Sequence, residues 1–359
     1  MNIAIACGGT GGHIFPGLAV AAQLEARGHA VVLWLAGKKI ESTAIRRWHG
    51  PVITVRAEGL SLGTAVRMVT TVLWLPAAVA LCAARMRKSR PDVLLAMGSY
   101  ASVPPALAAA LLRVPVVLHE ANAVPGRAMK FLARFATVIA VHFDRTRAFF
   151  PGKRCVLAGY PVRAEIARPS GTRLLPPGLF TLLVTGGSQG AHAVNELVSQ
   201  AVCVLWSRGL KLQVIHQSGT ADEAVVRNRY ANAGVPHVVA GFLDDMGNAY
   251  ASADFAICRA GGGTCAELAA AGVPALLIPL PGAPCDHQTE NAKAMEETGL
   301  VRLLAQEHLG VERLADYMEK LLKDPAGMAK MKSAGAVLST ADAAGKLADV
   351  VESAAKKPA

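Results

Sequence analysis

Ile3-Ala4-Ile5-Ala6-Cys7-Gly8-Gly9-Thr10-Gly11-Gly12-His13 opens with a short run of strand formers that breaks into four glycines and a histidine. This is the pattern of a strand, tight turn and helix start in a nucleotide-binding α/β unit, where backbone amides at a helix N-terminus can approach a phosphate. The design recurs about half a chain later, where Phe180-Thr181-Leu182-Leu183-Val184 leads into Gly186-Gly187-Ser188-Gln189-Gly190. The chain therefore reads as two such domains facing each other.

Outward from the first loop, strands are expected near 2–7, 30–35, 52–55, 92–96, 115–118 and 137–141, with helices near 17–27, 41–48, 64–87, 101–112 and 126–135. In the second half, strands are expected near 179–185, 212–216, 237–240, 254–258, 274–278 and 300–303, again alternating with helices. Such alternation means parallel, doubly wound α/β sheets. The Pro-, Gly- and Arg-rich stretch from Gly159 to Gly178 marks the boundary, giving domains 1–163 and 164–338. A last helix, within 339–359, belongs to neither sheet by order alone. Ligands of open α/β sheets bind beyond the carboxyl ends of the strands, so the substrate site is expected in the cleft between the domains.

The 359 residues suffice for two domains, and 52% hydrophobic against 18% charged residues excludes disorder. The seven cysteines are odd in number, scattered and free of Cys-x-x-Cys pairs, which favours buried thiols in a reducing compartment. Met1-Asn2 runs straight into the first strand without a basic leader, so a cytoplasmic protein is expected. The charge is unevenly divided. Residues 1–163 hold 20 Lys and Arg against 6 Asp and Glu, whereas the remainder holds 17 against 20. The first half is thus expected to meet an anionic surface or substrate. Its candidate contact is the uncharged stretch Met68–Ala84, flanked by Arg67 and by Arg85, Arg87, Lys88 and Arg90. A spanning helix needs roughly 20 apolar residues, and Thr70, Thr71 and Pro76 interrupt this one. A buried helix and a surface-seated helix remain open. With aromatics at only 5%, lipid is a better partner than nucleic acid.

The first loop departs from the dinucleotide fingerprint, because no third glycine stands at His13 or Ile14 and no acid follows at Leu35-Ala36-Gly37. No Gly-Lys-Ser/Thr follows either, which disfavours a P-loop ATPase. What remains is a glycine turn presenting His13 at a helix start, where an imidazole titrating near neutrality can serve as general base. In the second half, Ser188 stands in one amide cradle and Arg259-Ala260-Gly261-Gly262-Gly263-Thr264 forms another. Glu267, about a turn further on, suits ribose hydroxyls beside a diphosphate, although a carboxylate there can also simply cap a helix. Asp286-His287-Gln288-Thr289-Glu290-Asn291 offers donors and acceptors suited to a sugar. No Asp-x-Asp accompanies these loops, so amides, helix ends and Arg163 are favoured over a metal for holding diphosphate.

Gly8–Pro16, Gly98–Ser102, His119–Asn122, Gly186–Ala191, His216–Gly219, Phe242–Met246, Arg259–Glu267 and Asp286–Ala292 together resemble, in order and over nearly the whole chain, the MurG family of peptidoglycan glycosyltransferases. The resemblance implies a GT-B fold and inverting transfer of N-acetylglucosamine from its UDP donor to the muramyl 4-hydroxyl of an undecaprenyl-diphosphate-linked glycopeptide, converting lipid I to lipid II. It also implies peripheral attachment to the cytoplasmic face of the membrane and a C-terminal helix crossing back to the first domain. UDP-N-acetylglucosamine is then a substrate and no cofactor is required, with divalent-cation dependence open. Lipid I and an anionic membrane surface are the expected partners, with other cell-wall synthesis proteins open. His13 matches the proposed base, with Glu120 the other catalytic candidate. Gly12, Tyr100 and Asn122 match the acceptor side. Thr10, Gly11, Gly12, Asn122, Arg163, Ser188, Gly262, Gly263, Thr264, Glu267 and Gln288 are carried over as donor-binding, as are Phe242 and Leu243 against the uracil. The family commonly has Gly at Ser99, Gln at Ala121 and Ser-Gly-Ala at Ala260-Gly261-Gly262, so no side-chain role at 121 or 260 carries over. Rival readings are another GT-B glycolipid synthase, a UDP-sugar epimerase, or a non-catalytic nucleotide-sugar binding protein.

Overall fold

The computed structural model describes residues 1–38, 41, 45–46, 48–55, 65–337 and 342–356. Two compact units emerge: Met1–Val162 together with Asp342–Ala359, and Arg163–Ala341.

In the first unit, β1 (Asn2–Ala6), β2 (Ala30–Leu35), β3 (Val52–Thr54), β4 (Val93–Ala96), β5 (Val116–Glu120), β6 (Val138–Val141) and β7 (Cys155–Leu157) form one sheet in the order β3-β2-β1-β4-β5-β6-β7. Every pairing is parallel. Parallel strands are covered on both faces, which is why they read as continuous apolar runs. Alternate residues of β1 feed opposite layers. Ala4 and Ala6 pack with Val79, Cys82 and Met86 of α2 (Ala65–Ser89) and with α3 (Val103–Leu111). Ile3 and Ile5 pack with Val20 and Leu24 of α1 (Gly11–Ala26), and with Leu347, Ala348 and Val351 of the C-terminal helix described below. The short helix α4 (Arg127–Leu132) completes the described helices of this layer before the chain crosses over.

The second unit opens with α5 (Ala164–Ala167) and then repeats the design: β8 (Phe180–Thr185), β9 (Leu212–Gln217), β10 (His237–Ala240), β11 (Phe255–Cys258), β12 (Ala275–Leu277) and β13 (Val301–Leu303), in the order β10-β9-β8-β11-β12-β13. Its helices are α6 (His192–Ser207), α7 (Glu223–Ala233), α8 (Met246–Ser252), α9 (Gly262–Ala271), α10 (His287–Glu296), α11 (Val311–Leu322) and α12 (Pro325–Val337). The chain then returns to the first unit as α13 (Ala343–Ala355), held to it by Arg27–Asp349 at 2.6 Å and His29–Glu352 at 2.9 Å.

Two details differ from the sequence reading. β7 is an additional three-residue strand with Leu157 exposed on the sheet edge, too short to announce itself by pattern. Helix α1 begins at Gly11, inside the glycine loop, and carries Pro16 in its interior. The expected helix over 41–48 falls largely outside the described residues.

Candidate functional site

In both sheets the strand order reverses beside the first strand of the unit, between β1 and β4 and between β8 and β11. Loops at the carboxyl ends of those strands surround the crevice where doubly wound sheets bind ligands. Gly8–His13 follows β1, Gly98–Ser102 follows β4, Gly186–Gly190 follows β8, and Ala260–Thr264 follows β11.

In the first unit, Thr10 is the N-cap of α1, followed by Gly11 and Gly12. Thr10 Oγ1 lies 3.0 Å from His13 Nδ1. The imidazole covers Gly98, whose φ of +104° and lack of a side chain both matter, since a Cβ there would stand 3.0 Å from the ring. His13 is part-buried. Desolvation first, then the charges of His119 and Lys38, hold its pKa down to about 4. This corrects the expectation of a group titrating near neutrality: in the free protein the ring is already a neutral base at pH 7.

Glu120 ends β5 and is 3% exposed. Its Oε1 accepts the backbone and side-chain N–H groups of Asn122 at 2.9 and 3.1 Å. Desolvation raises its pKa to about 7 against the lowering effect of those bonds, which brings this carboxyl toward neutrality. Tyr100 lies half-buried in the short 3-10 turn after β4.

Sequence reasoning passed over the aromatic layer beside His13. His119 Nε2 donates to Gly159 O at 2.9 Å, and the Tyr160 ring lies 5.9 Å from both His119 and His142. Burial holds His119 down to about 4 and His142 to about 3, so both are neutral.

In the second unit, Arg163 lies 3.4 Å from Glu267 Oε1, while Tyr250 donates its hydroxyl to Glu267 Oε2 at 3.1 Å. Burial raises the Glu267 pKa against the lowering effect of Arg163. The arginine expected to face diphosphate is thus paired with the carboxylate expected to face ribose. A carboxylate presents about four acceptor positions, so room for hydroxyl donors remains. Gly262, Gly263 and Thr264 form the first turn of α9, with backbone N–H groups directed out of its N-terminus. Gln288 Oε1 accepts the Leu280 N–H at 3.0 Å, which fixes the amide orientation. Ser188 is half-buried in the β8 loop.

Gln217 ties these parts together, another residue whose role sequence reasoning missed. It donates to Gly187 O at 3.0 Å and to Thr185 Oγ1 at 3.3 Å, and accepts the Leu243 N–H at 3.0 Å. The glycine loop and the Phe242-Leu243 segment therefore share one clamp. Its strand, Leu212–Gln217, also carries Gln213 and His216, so nothing in the pattern singles Gln217 out. Beneath it, Asn195 donates to Ser218 O and Asp222, so its Oδ1 faces His216 Nε2 at 3.1 Å. His216 is held neutral at about 3 by burial, so Nε2 carries the proton and Nδ1 accepts from Tyr230.

The uncharged stretch forms the middle of α2. Ala78, Val79, Cys82, Ala83 and Met86 are buried, while Leu81 is exposed. Between α2 and α3 lies an apolar groove of about 610 Å³ lined by Leu75, Pro76, Val79, Leu107, Leu111 and Phe135, among others. Leu111 is 72% exposed, Phe131, Phe135 and Phe149 are exposed nearby, and Lys130 sits 5.0 Å above the Phe149 ring. Among the described residues no helix is long and apolar enough to cross a membrane. The expectation of buried thiols fails at Cys285, which is exposed; the other six cysteines are buried or half-buried.

Two doubly wound parallel sheets in one chain, with glycine loops at both switch points, make this a GT-B-type protein. The chain belongs to glycosyltransferase family 28: residues 3–141 match the family's N-terminal domain and residues 181–347 its C-terminal domain. It is 41% identical, over 88% of its length and 89% of the relative's, to the UDP-N-acetylglucosamine–N-acetylmuramyl-(pentapeptide) pyrophosphoryl-undecaprenol N-acetylglucosamine transferase of Nitrosospira multiformis. The Myxococcus xanthus protein of the same name is 35% identical, over 98% of this chain and 92% of the relative. The crystal structure of Acinetobacter baumannii MurG superposes with a TM-score of 0.76 at 29% identity, covering 98% of this chain and 99% of that one.

Proposed function

We propose that the protein transfers N-acetylglucosamine from UDP-N-acetylglucosamine to the 4-hydroxyl of the muramyl sugar in undecaprenyl-diphosphate-linked MurNAc-pentapeptide, with inversion at the anomeric carbon. The observation that carries the mechanism is the placement of the His13 imidazole, 3.0 Å from Thr10 Oγ1 and against Gly98 at the carboxyl edge of the first sheet, where burial favours its neutral form. The acceptor hydroxyl oxygen forms the new bond to C1 while its proton passes to His13. The bond from C1 to UDP breaks, and the departing diphosphate takes the electron pair. In this reading its charge is met by the N–H groups of Gly262, Gly263 and Thr264 and by the Gly186–Gly190 loop. Glu267 accepts from the ribose, Gln288 contacts the sugar, and Phe242 and Leu243 flank the base. Gly12, Tyr100 and Asn122 face the acceptor, and Thr10, Gly11, Gly12 and Asn122 also the donor; Glu120, lifted to about 7 by burial, can donate to the acceptor when protonated and accept from it when ionised.

The lipid-linked acceptor calls for peripheral attachment to an anionic membrane on its cytoplasmic side. The apolar groove between α2 and α3, with Leu111 and Phe135 at its surface and Arg113, Lys130 and Arg134 nearby in the chain, supports that reading.

Radiolabelled UDP-N-acetylglucosamine supplied with a short-chain lipid I analogue should give a labelled disaccharide lipid. Label released as free sugar, or converted to the 2-epimer with no lipid product, would refute the transfer.

A further inference from the structure

Glu41 is 2% exposed, and its carboxylate gathers backbone donors from two separate loops. Oε1 accepts the N–H groups of Gly9 at 2.8 Å and Ala36 at 3.1 Å, while Oε2 accepts those of Gly37 at 2.6 Å and Lys38 at 3.1 Å. The loops are pressed together here: a Cβ on Gly8 would lie 2.6 Å from Ala36 N and 3.1 Å from Glu41 Oε1. Converging amides of this kind make an anion-binding concavity, and in this chain its anion is an internal side chain. A phosphate therefore has no place at Gly9, which separates this loop from a nucleotide cradle of the same outline. With four N–H groups on a carboxylate that offers about four acceptor positions, Glu41 has no capacity left for substrate.

We propose that Glu41 is a positioning residue: the built-in anion that locks the glycine loop after β1 to the loop after β2, and thereby sets Thr10 and His13 in place. The chain of contact is short. Gly9 precedes Thr10, Thr10 caps α1, and Thr10 Oγ1 holds His13 Nδ1. Lys38, whose N–H the carboxylate binds, is also one of the groups that lower the His13 pKa, after burial and His119. This inference rests on the reading of His13 as the base.

The test uses Glu41→Gln, which keeps the shape but turns an NH2 toward backbone donors, and Glu41→Ala, which empties the concavity. Glu41→Gln should lower kcat by about 10–100-fold, the scale of a misplaced catalytic group, with the Kd for UDP-N-acetylglucosamine within about threefold. Sodium formate, a carboxylate small enough for the vacated space, should raise the Tm and kcat of Glu41→Ala, with sodium chloride at equal ionic strength inactive and the unaltered protein unresponsive. A kcat for Glu41→Gln within about twofold of the unaltered protein would overturn the positioning role, as would loss of donor binding in proportion to kcat. Should Glu41→Ala not fold, Glu41→Asp with and without formate replaces it. If His13→Ala itself keeps near-normal turnover, the base assignment falls separately. The formate-dependent Tm then still decides the anion site, and absence of any rise rejects it.

Discussion

The Tyr160 hydroxyl donates to the Gly12 carbonyl at 2.8 Å. Gly12 is the residue whose helical partner, four positions on, is Pro16, and a proline has no N–H to give. The phenol thus satisfies an acceptor that the helix cannot, one residue before His13. Tyr160→Phe should therefore destabilise the first unit by about 0.5–1.5 kcal/mol, the net contribution of a typical hydrogen bond, since this bond is only part-buried and Gly12 is exposed. Thermal melting would show it, and an unchanged Tm would mean that water replaces the phenol without loss.

His13→Ala should leave UDP-sugar affinity within a few-fold and lower turnover by about 10²–10⁴, the range for removal of a general base. Calorimetric donor binding beside single-turnover rates separates the two effects. Near-normal turnover by folded protein would shift attention to Glu120.

The pH profile distinguishes these two residues. Glu120 is lifted to about 7 by burial while His13 is lowered to about 4 by burial and neighbouring charges. As pH falls from 8 to 6, Glu120 gains its proton and His13 stays neutral. An inflection of kcat/KM near pH 7 should thus vanish in Glu120→Gln, and the loss of base function should come only as pH approaches 4. Persistence of the near-neutral inflection in Glu120→Gln would assign it elsewhere.

Glu267→Ala should weaken donor binding more than bound chemistry. Losing hydrogen bonds to a charged group costs about 1.5–3 kcal/mol, or roughly ten- to a hundredfold in Kd. The pairing with Arg163 and Tyr250 adds a second consequence, since both partners are left facing an empty space. Glu267→Gln, retaining one acceptor, should fall between. An unchanged donor Kd for Glu267→Ala would remove ribose from its role.

Binding to anionic vesicles should fall with salt, because each Lys or Arg near such a surface contributes about 1 kcal/mol. Leu111→Glu, and Trp74→Glu at the half-buried tryptophan of α2 next to the groove residue Leu75, should each weaken partitioning, measured by vesicle sedimentation. Insensitivity to both substitutions and to salt would place the contact on another patch.

Strand positions were legible because parallel strands buried on both faces leave uninterrupted apolar runs such as Phe255–Cys258, punctuated by glycine loops. The start of α1 was not, because glycines and a proline argue against helix locally. Its geometry depends on Tyr160, far along the chain in a stretch that reads as linker. The candidate loops could be found from their glycines, which are local signals. Glu41, Gln217 and Tyr160 could not, because each makes at least one of its bonds to a backbone group 26 to 148 residues distant, and a lone polar residue does not advertise which backbone groups fold onto it.

The return of α13 to the first unit makes that unit discontinuous: Leu347, Ala348 and Val351 fill the layer begun by Ile3 and Ile5. Residues 163–341 form an uninterrupted stretch and can close their core as soon as they are made, whereas the earlier unit lacks one helix of the layer it shares with α1 until the later unit has been synthesised. Synthesis of the second unit therefore precedes completion of the first, and a chain stopped near residue 341 should carry a complete second unit and a first unit with part of its apolar face uncovered.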